Sequence, residues 1–195
     1  MKLPAGALPV VVALAGPNGA GKTTFYHSQL KHAGLRLVNA DVLARAAGMD
    51  AYAAARAAAV VRDELVRQRE SFVFETVFSD PVGAKVAFLR EVRKAGYTTV
   101  LCFIGVSGPD LSEERVAMRV SQGGHDVPTE KLTARFPRTM INLRLALEVV
   151  DEAWIFDNSD LRHPYKKVAV VKGGRVVNKV RSLPNFLKAI VAELR

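Results

Sequence analysis

Only one cysteine occurs in the sequence, Cys102, and it lies inside the apolar run "TVLCFIGV". Disulfides therefore play no part, and the residue reads as a buried core thiol suited to a reducing cytoplasm. No apolar stretch approaches the roughly 20 residues that a membrane-spanning helix needs, so no membrane role is expected. Acid is scarce at the far end: from residue 161 onward nine Lys or Arg face the single acid Glu193. That segment holds +8 of the formal net charge of +9, so the basic balance is local. Aromatics there are few, Tyr165 and Phe186, which gives base stacking little support and makes a nucleic-acid partner unexpected.

Also missing are long linkers, repeats and low-complexity tracts. The 195 residues, 49% of them hydrophobic, suit one globular domain over 1–195 with a full core. The apolar run "LPVVVALA" with Lys2 before it faintly resembles a signal peptide, but cleavage there would remove the strand that leads into the next motif. Residues 9–15 are therefore read as the first buried strand.

Directly after that strand comes "AGPNGAGKTTF". The spacing Gly16, four residues, Gly21, Lys22, Thr23 matches a phosphate-binding loop, with a β-branched strand before it and helix-compatible residues after it. Glycines let the backbone form a nest of N–H groups, and the helix starting near Lys22 adds the positive end of its dipole. Lys22 supplies a point charge to the outer phosphates, and the Thr23 hydroxyl suits a Mg²⁺ ligand. Gly16, Asn18, Gly19, Ala20 and Gly21, with Lys22, Thr23 and Thr24, form the expected nucleotide site.

Strand and helix signals then alternate, the pattern of a mostly parallel sheet with helices on both faces. A helix over 23–33 closes at Gly34, and "LRLVNAD" reads as a short strand ending at Asp41. A long Ala-rich helix spans about 50–70, followed by the strand "SFVFETVF". Asp80 is expected to cap a helix with Pro81 at its first position and Gly96 past its end. "TTVLCFIGV" is a central strand, and the Asp110 to Glu113 spacing suits a capping box for a helix to about Gln122. Pro137 is expected to interrupt the next helix, "AWIFDNS" to be the last core strand, and "KKVAVVKGGRVVNKV" to form a hairpin turning at Gly173-Gly174. Residues 184–194 close the chain as a helix. The hairpin pattern predicts one packed and one charged face, which serves either an acidic partner chain or an edge guarded by lysines.

In open α/β sheets ligands bind beyond the carboxyl ends of the strands. Asp41, Glu75 and Thr76 are expected there beside the phosphate loop. Asp41 is the first candidate for a general base, the alternative being a helix-capping aspartate. Glu75 stands in an apolar strand, where an ionised group must be paired or functional. Arginines cluster over 115–144. Arg115 and Arg119 share a helix face and Arg135 and Arg138 flank Pro137, so a mobile segment over about 112–140 would bring arginines over a transferred phosphoryl group. Arg115 and Arg144 read more simply as solvated helix residues. His125 is either a ligand contact of that segment or a surface loop residue.

"GPNGAGKTTF", "NADVLAR", "FVFETVFS" and "RVSQGGHDVPTEKLTARFPRTMINLRLALEVVDEAWIFDNS" together resemble the zeta-toxin-like P-loop kinases in their short form. The resemblance covers most of 9–160 and implies a P-loop kinase-like three-layer α/β sandwich. It implies ATP and Mg²⁺ as cofactors and phosphorylation of a hydroxyl of a nucleotide sugar, UDP-N-acetylglucosamine in the best-known members. By motif, Lys22 and Thr23 match the nucleotide and Mg²⁺ ligands and Asp41 the catalytic base. Glu75 with Thr76 and Asp41 matches the acceptor site, and Arg119 and Arg138 the catalytic arginines around the γ-phosphate. An antitoxin chain is the implied partner. Where toxins of the family carry Glu-Gly-Thr, this chain has Glu75-Thr76-Val77.

Two other P-loop classes lack their marks. A transporter-type or DNA-repair ATPase needs an "LSGGQ" stretch and a glutamate after a strand-terminal aspartate, where "WIFDNS" offers Asn158. A GTPase needs Asn-Lys-x-Asp, and "NKVR" ends in arginine.

Overall fold

The computed structural model describes Leu3, residues 8–123 and residues 127–194 of the chain. The strands are β1 (Val10–Ala15), β2 (Arg36–Val38), β3 (Phe72–Thr76), β4 (Thr98–Gly105), β5 (Glu152–Asp157), β6 (Lys166–Lys172) and β7 (Arg175–Lys179). They make one sheet in the order β2-β3-β1-β4-β5-β6-β7. β1 to β5 pair in parallel, while β6 and β7 each run antiparallel to the neighbour before them.

Period-two alternation explains how this sheet fills two cores. Val11, Ala13, Phe72, Phe74, Leu101, Phe103 and Ile155 face one side. Val12, Leu14, Val73, Val100, Cys102 and Trp154 face the other. The first side is covered by α3 (Ala51–Arg67), α4 (Ala84–Lys94), α6 (Thr129–Leu147) and α7 (Asn185–Ala192) through residues such as Leu65, Leu89, Leu143 and Leu187. The second is covered by Phe25, Tyr26 and Leu30. Each fully buried Phe or Leu contributes about 1.5–3 kcal/mol, so the parallel sheet is the rigid part of the molecule. Helices on both faces and a terminal hairpin are as the sequence pattern predicts.

Local boundaries differ in instructive ways. The helix after β1 is composite: α1 (Lys22–Phe25) runs into a π turn, Tyr26–Leu30, and a 3-10 turn, Lys31–Ala33, before Gly34 stops it in the left-handed region. Asp41 does not end a strand. β2 stops at Val38, Asn39 is the N-cap, and Asp41 lies in the first turn of α2 (Ala40–Ala47). Asp80 accepts a hydrogen bond from Ala84 N–H, but the cap residue of α4 is Gly83, so Pro81 precedes the helix.

The Asp110–Glu113 capping box does not form, because α5 (Pro109–Ser121) starts two residues earlier than that box requires, with Gly108 as cap and Pro109 at the first position. Pro137 does not interrupt α6. Only one backbone bond is lost at the ring, and just beyond it Thr139 Oγ1 donates to Val77 O at 2.9 Å while Asn142 Nδ2 donates to Phe78 O and Asp80 O, each at 2.9 Å. The helix is thereby fixed to the loop after β3.

The hairpin turns where expected, with Gly173 at φ 52° and Gly174 at φ 77°, the two positive values a type I′ turn requires. Its one-face alternation fails. A register shift in the β5–β6 ladder pairs Ile155 with Ala169 and Phe156 with Lys167, so Val168 is the extra residue. Val168, Ala169 and Val171 are all buried, while the exposed charge is shared by Lys166, Lys167 and Lys172 of β6 and Arg175 and Lys179 of β7.

Candidate functional site

Gly16 shows why the loop after β1 needs its first glycine. It has φ 147°, and a Cβ there would lie 2.1 Å from Ile104 O, so any side chain would collide with the backbone of β4. The loop is then held by its carbonyls. Lys22 Nζ donates to Gly16 O at 2.9 Å and to Pro17 O at 3.0 Å. Ser112 Oγ donates to Asn18 O at 2.6 Å, Asn158 Nδ2 to Ala20 O at 2.9 Å, and Tyr165 Oη to Gly21 O at 3.0 Å. With these acceptors engaged by the protein, an anion entering the loop meets N–H donors rather than competing carbonyls. Gly16 and Ala20 are buried, and Asn18, Gly19, Gly21, Lys22, Thr23 and Thr24 line the space beside the loop.

That space is a cleft of about 710 Å³. Asp41, Glu75, Thr76, Arg119 and Arg138 line the same cleft, so the sequence-predicted residues from α2, β3, α5 and α6 converge with the loop. Thr23 Oγ1 donates toward the Glu75 carboxylate, 3.2 Å from each oxygen, and Asn39 Nδ2 donates to Glu75 Oε2 at 2.8 Å. Glu75 is thus paired, as its apolar strand required. Asn39 Oδ1 accepts from the N–H groups of Asp41 and Val42, so the helix-capping role belongs to Asn39 and not to Asp41, whose side chain faces the cleft. Thr76 Oγ1 accepts from Phe78 N–H at 3.0 Å, which fixes the chain as it leaves β3.

Lys22 is only 7% exposed. Burial pulls its ammonium below the ordinary lysine value, the nearby Arg119 charge adds to that, and the carboxylates of Glu75 and Asp41 act against it. The loop therefore holds a buried positive charge with the Glu75 and Asp41 carboxylates near it. Cys102 is fully buried and its thiol is pushed well up by desolvation, in keeping with a core role.

Several functional residues carry little or no signal in the sequence. Asn39 carries one, an Asx residue just before a helical run. Asn158 and Tyr165, which clamp the loop from the end of β5 and the segment after it, carry none in the local pattern. Arg115 donates to Ser159 O at 3.1 Å and lines the cleft, so it is not simply a solvated helix residue. Arg62 and Lys85 line the cleft from α3 and α4, where helical periodicity makes them look like ordinary surface charges. His125 lies outside the described residues. Among the described residues no group of three or more His, Cys, Asp or Glu is placed to hold a metal by itself, and no helix is long and apolar enough to cross a membrane.

The sequence profile of the AAA domain family matches residues 11–136, more than half of the chain. The chain belongs to this family. No curated protein matches this AAA domain protein in sequence. Among solved structures it resembles the AvrRxo1-ORF1:AvrRxo1-ORF2 complex with sulphate ions, at 18% identity and a TM-score of 0.64 over 97% of this chain and 66% of that one. The same complex with ATP matches with a TM-score of 0.62 and 18% identity over 95% and 64% of the two chains. The PezAT chromosomal toxin-antitoxin system of Streptococcus pneumoniae matches with a TM-score of 0.58 and 18% identity over 79% of this chain and 69% of that chain. This AAA domain protein therefore spans 66% or less of the AvrRxo1 chains. These are likenesses of fold, and the fold is the P-loop kinase-like α/β sandwich.

Proposed function

We propose that the protein is an ATP-dependent small-molecule kinase that transfers the γ-phosphate of ATP to a hydroxyl, with a nucleotide sugar such as UDP-N-acetylglucosamine as the acceptor. The observation that carries the reading is the convergence of Lys22, Thr23, Asp41 and Glu75 beyond the carboxyl ends of neighbouring parallel strands, in one cleft. A P-loop ATPase needs no carboxylate of the Asp41 kind facing the loop across a cleft. The ATP-bound AvrRxo1 complex, whose fold is similar, supports the nucleotide part of the proposal.

In this reading Gly16 to Gly21 wrap the β- and γ-phosphates, and Lys22 gives up its two carbonyl bonds to follow the transferred phosphoryl group. The hard oxygen donors fit Mg²⁺: the Thr23 hydroxyl would bind it directly and the Glu75 carboxylate, 3.2 Å from that hydroxyl, through water. The cation supplies charge neutralisation at the phosphate oxygens. Asp41 accepts the proton of the attacking hydroxyl, which becomes the phosphate ester oxygen as the bond from the γ-phosphorus to ADP breaks. Glu75 and Thr76 position the acceptor, and Arg119 and Arg138 stabilise charge on the phosphoryl group as the 112–140 segment closes. The basic edge at β7 suits an acidic antitoxin chain, and PezAT is a toxin-antitoxin system of similar fold.

The test is incubation of purified protein with γ-labelled ATP, Mg²⁺ and a panel of nucleotide sugars, nucleosides and dinucleotides. Label on UDP-N-acetylglucosamine is the expected result. Label released only to water would overturn the kinase reading.

A further inference from the structure

Arg62 is a buried cation that forms no ion pair among the described residues. It lies on α3, is 8% exposed, and its guanidinium carbon is 5.2 Å from the ring of Phe74 and 5.1 Å from that of Phe88. Its Nε is buried without a hydrogen-bond partner. The acidic charge acting on it is that of Asp63, the next residue along the helix, and the pair is not among the ion pairs of the described residues. Burial pulls the guanidinium below its ordinary value. A guanidinium stays protonated even so, which makes an unpaired one in this position costly.

Two aromatic contacts offset part of that cost, since a cation beside a ring face is stabilised, but they do not use the N–H donors. Proteins bury most polar groups with partners, and an exception needs an explanation. Here the explanation lies in the cleft, which Arg62 lines together with Lys85 of α4 and Arg138 of α6. Arg138 repeats the anomaly: its Nε is also buried without a partner. Lys85 adds a third positive charge, five residues along from Asp80. The Asp80 carboxylate is the local acid: one oxygen accepts from Ala84 N–H and the other, Oδ2, is buried without a partner. No ion pair joins it to Arg62, Lys85 or Arg138 among the described residues.

We infer that Arg62 is the anion-recognition residue of the acceptor site, so that the molecule phosphorylated here is a hydroxylated compound bearing its own oxyanion, a phosphate or a carboxylate. That an acceptor binds here rests on the kinase reading; that it is an anion rests on geometry. The guanidinium fork matches the two oxygens of either group, and the rings of Phe74 and Phe88 fix its plane so that little freedom is lost on binding. Arg62 lines the cleft from α3 and the nucleotide loop lines it from the end of β1, so an oxyanion held by Arg62 shares one cleft with the phosphates. A neutral sugar or nucleoside would leave Arg62 unpaired and is excluded as a good substrate.

The experiment is calorimetric titration of the whole protein, its loop saturated with a non-hydrolysable ATP analogue and Mg²⁺, with inorganic phosphate in one arm and malonate in the other. Wild type is expected to bind at least one of them, and Arg62→Met at least about tenfold more weakly, with analogue affinity unchanged. Tighter phosphate assigns a phosphate-bearing acceptor and tighter malonate a carboxylate-bearing one. Arg62→Met is also expected to melt no lower than wild type, because removing an unpaired buried charge relieves the fold, whereas loss of a merely structural arginine would lower the midpoint. Arg62→Lys, which keeps charge without the fork, provides a second folded comparison and is expected to show the same weakening. Equal anion affinity in wild type and both variants would overturn the inference. Failure of the kinase reading would show separately, as absence of analogue binding or of label transfer.

Discussion

Asn39 holds two elements at once: its Nδ2 donates to Glu75 Oε2 at 2.8 Å while its Oδ1 accepts from the N–H groups of Asp41 and Val42 at 2.7 and 3.2 Å. The end of β3 and the start of α2 are therefore tied through one buried amide, 7% exposed. A carboxylate and a base candidate on different elements keep a fixed separation because this residue couples them.

Asn39→Ala is expected to lose about 1 kcal/mol of stability, the usual cost of a helix N-cap, and to raise the KM for the acceptor because Glu75 keeps only its bond from Thr23. Asn39→Ser keeps an oxygen for the cap but cannot reach Glu75. It is expected to recover most of the stability and none of the KM, as urea titration beside steady-state kinetics will read. Recovery of both by serine would mean that the contact with Glu75 is incidental.

Lys22→Ala is expected to abolish turnover while circular dichroism stays native, since the side chain lies at the loop and not in either core. The lysine also sets a pH dependence. Burial holds its pKa in the folded protein below the unfolded value near 10.5, so between the two the unfolded chain binds more protons and wild type gains stability as pH rises. Relative to Lys22→Met, which has no such group, the stability of wild type should increase as pH rises through the depressed folded pKa toward the unfolded value near 10.5. Bound phosphates favour the ammonium, so analogue affinity should fall over the same interval. A wild-type advantage that shrinks with rising pH would contradict the buried charge.

Asp41→Asn is expected to lower kcat by at least about a hundredfold with analogue affinity unchanged. Because Asn39 supplies the cap, this substitution should leave the melting temperature unaltered, a separation that the sequence alone does not offer. A near-normal rate would remove Asp41 from the chemistry.

The sheet was legible because its signal is local: runs such as "VVVALA" and "FVFET" alternate between two cores, and the glycine spacing of the phosphate loop belongs to one short segment. Pairing partners across the sheet left less trace. Asn158 and Tyr165 lie 138 and 144 residues from the loop carbonyls they hold, and nothing in "FDNS" or "HPYK" announces that contact. Arg62 was hidden for a different reason. On an Ala-rich helix an arginine looks solvated, and only the packing of Phe74 and Phe88 against it turns it inward. Pro137 misled because proline reports the lost backbone bond but not the tertiary bonds of Thr139 and Asn142 that hold the helix together.

The basic hairpin gives the remaining prediction. Lys172 faces Glu152 across the β5–β6 ladder, Nζ to Oε2 at 3.3 Å, and the Glu152 side chain is only 16% exposed while also accepting from Trp154 Nε1 at 2.6 Å. Reversing Lys172 to glutamate sets like charges opposite one another, which costs up to about 1 kcal/mol. Arg175 and Lys179 are exposed on the edge strand and have no such constraint. The pair Arg175→Glu and Lys179→Glu should therefore melt like wild type, and adding Lys172→Glu should lower the midpoint. Phosphoryl transfer to a small acceptor should stay within about twofold in both, since the edge strand β7 lies two strands beyond β5 and far from the loop after β1. Binding of an acidic partner chain, measured against salt concentration, should weaken in both variants. If the double variant stayed folded yet lost its transfer rate, the hairpin would belong to the active site and the cleft would be wrongly placed.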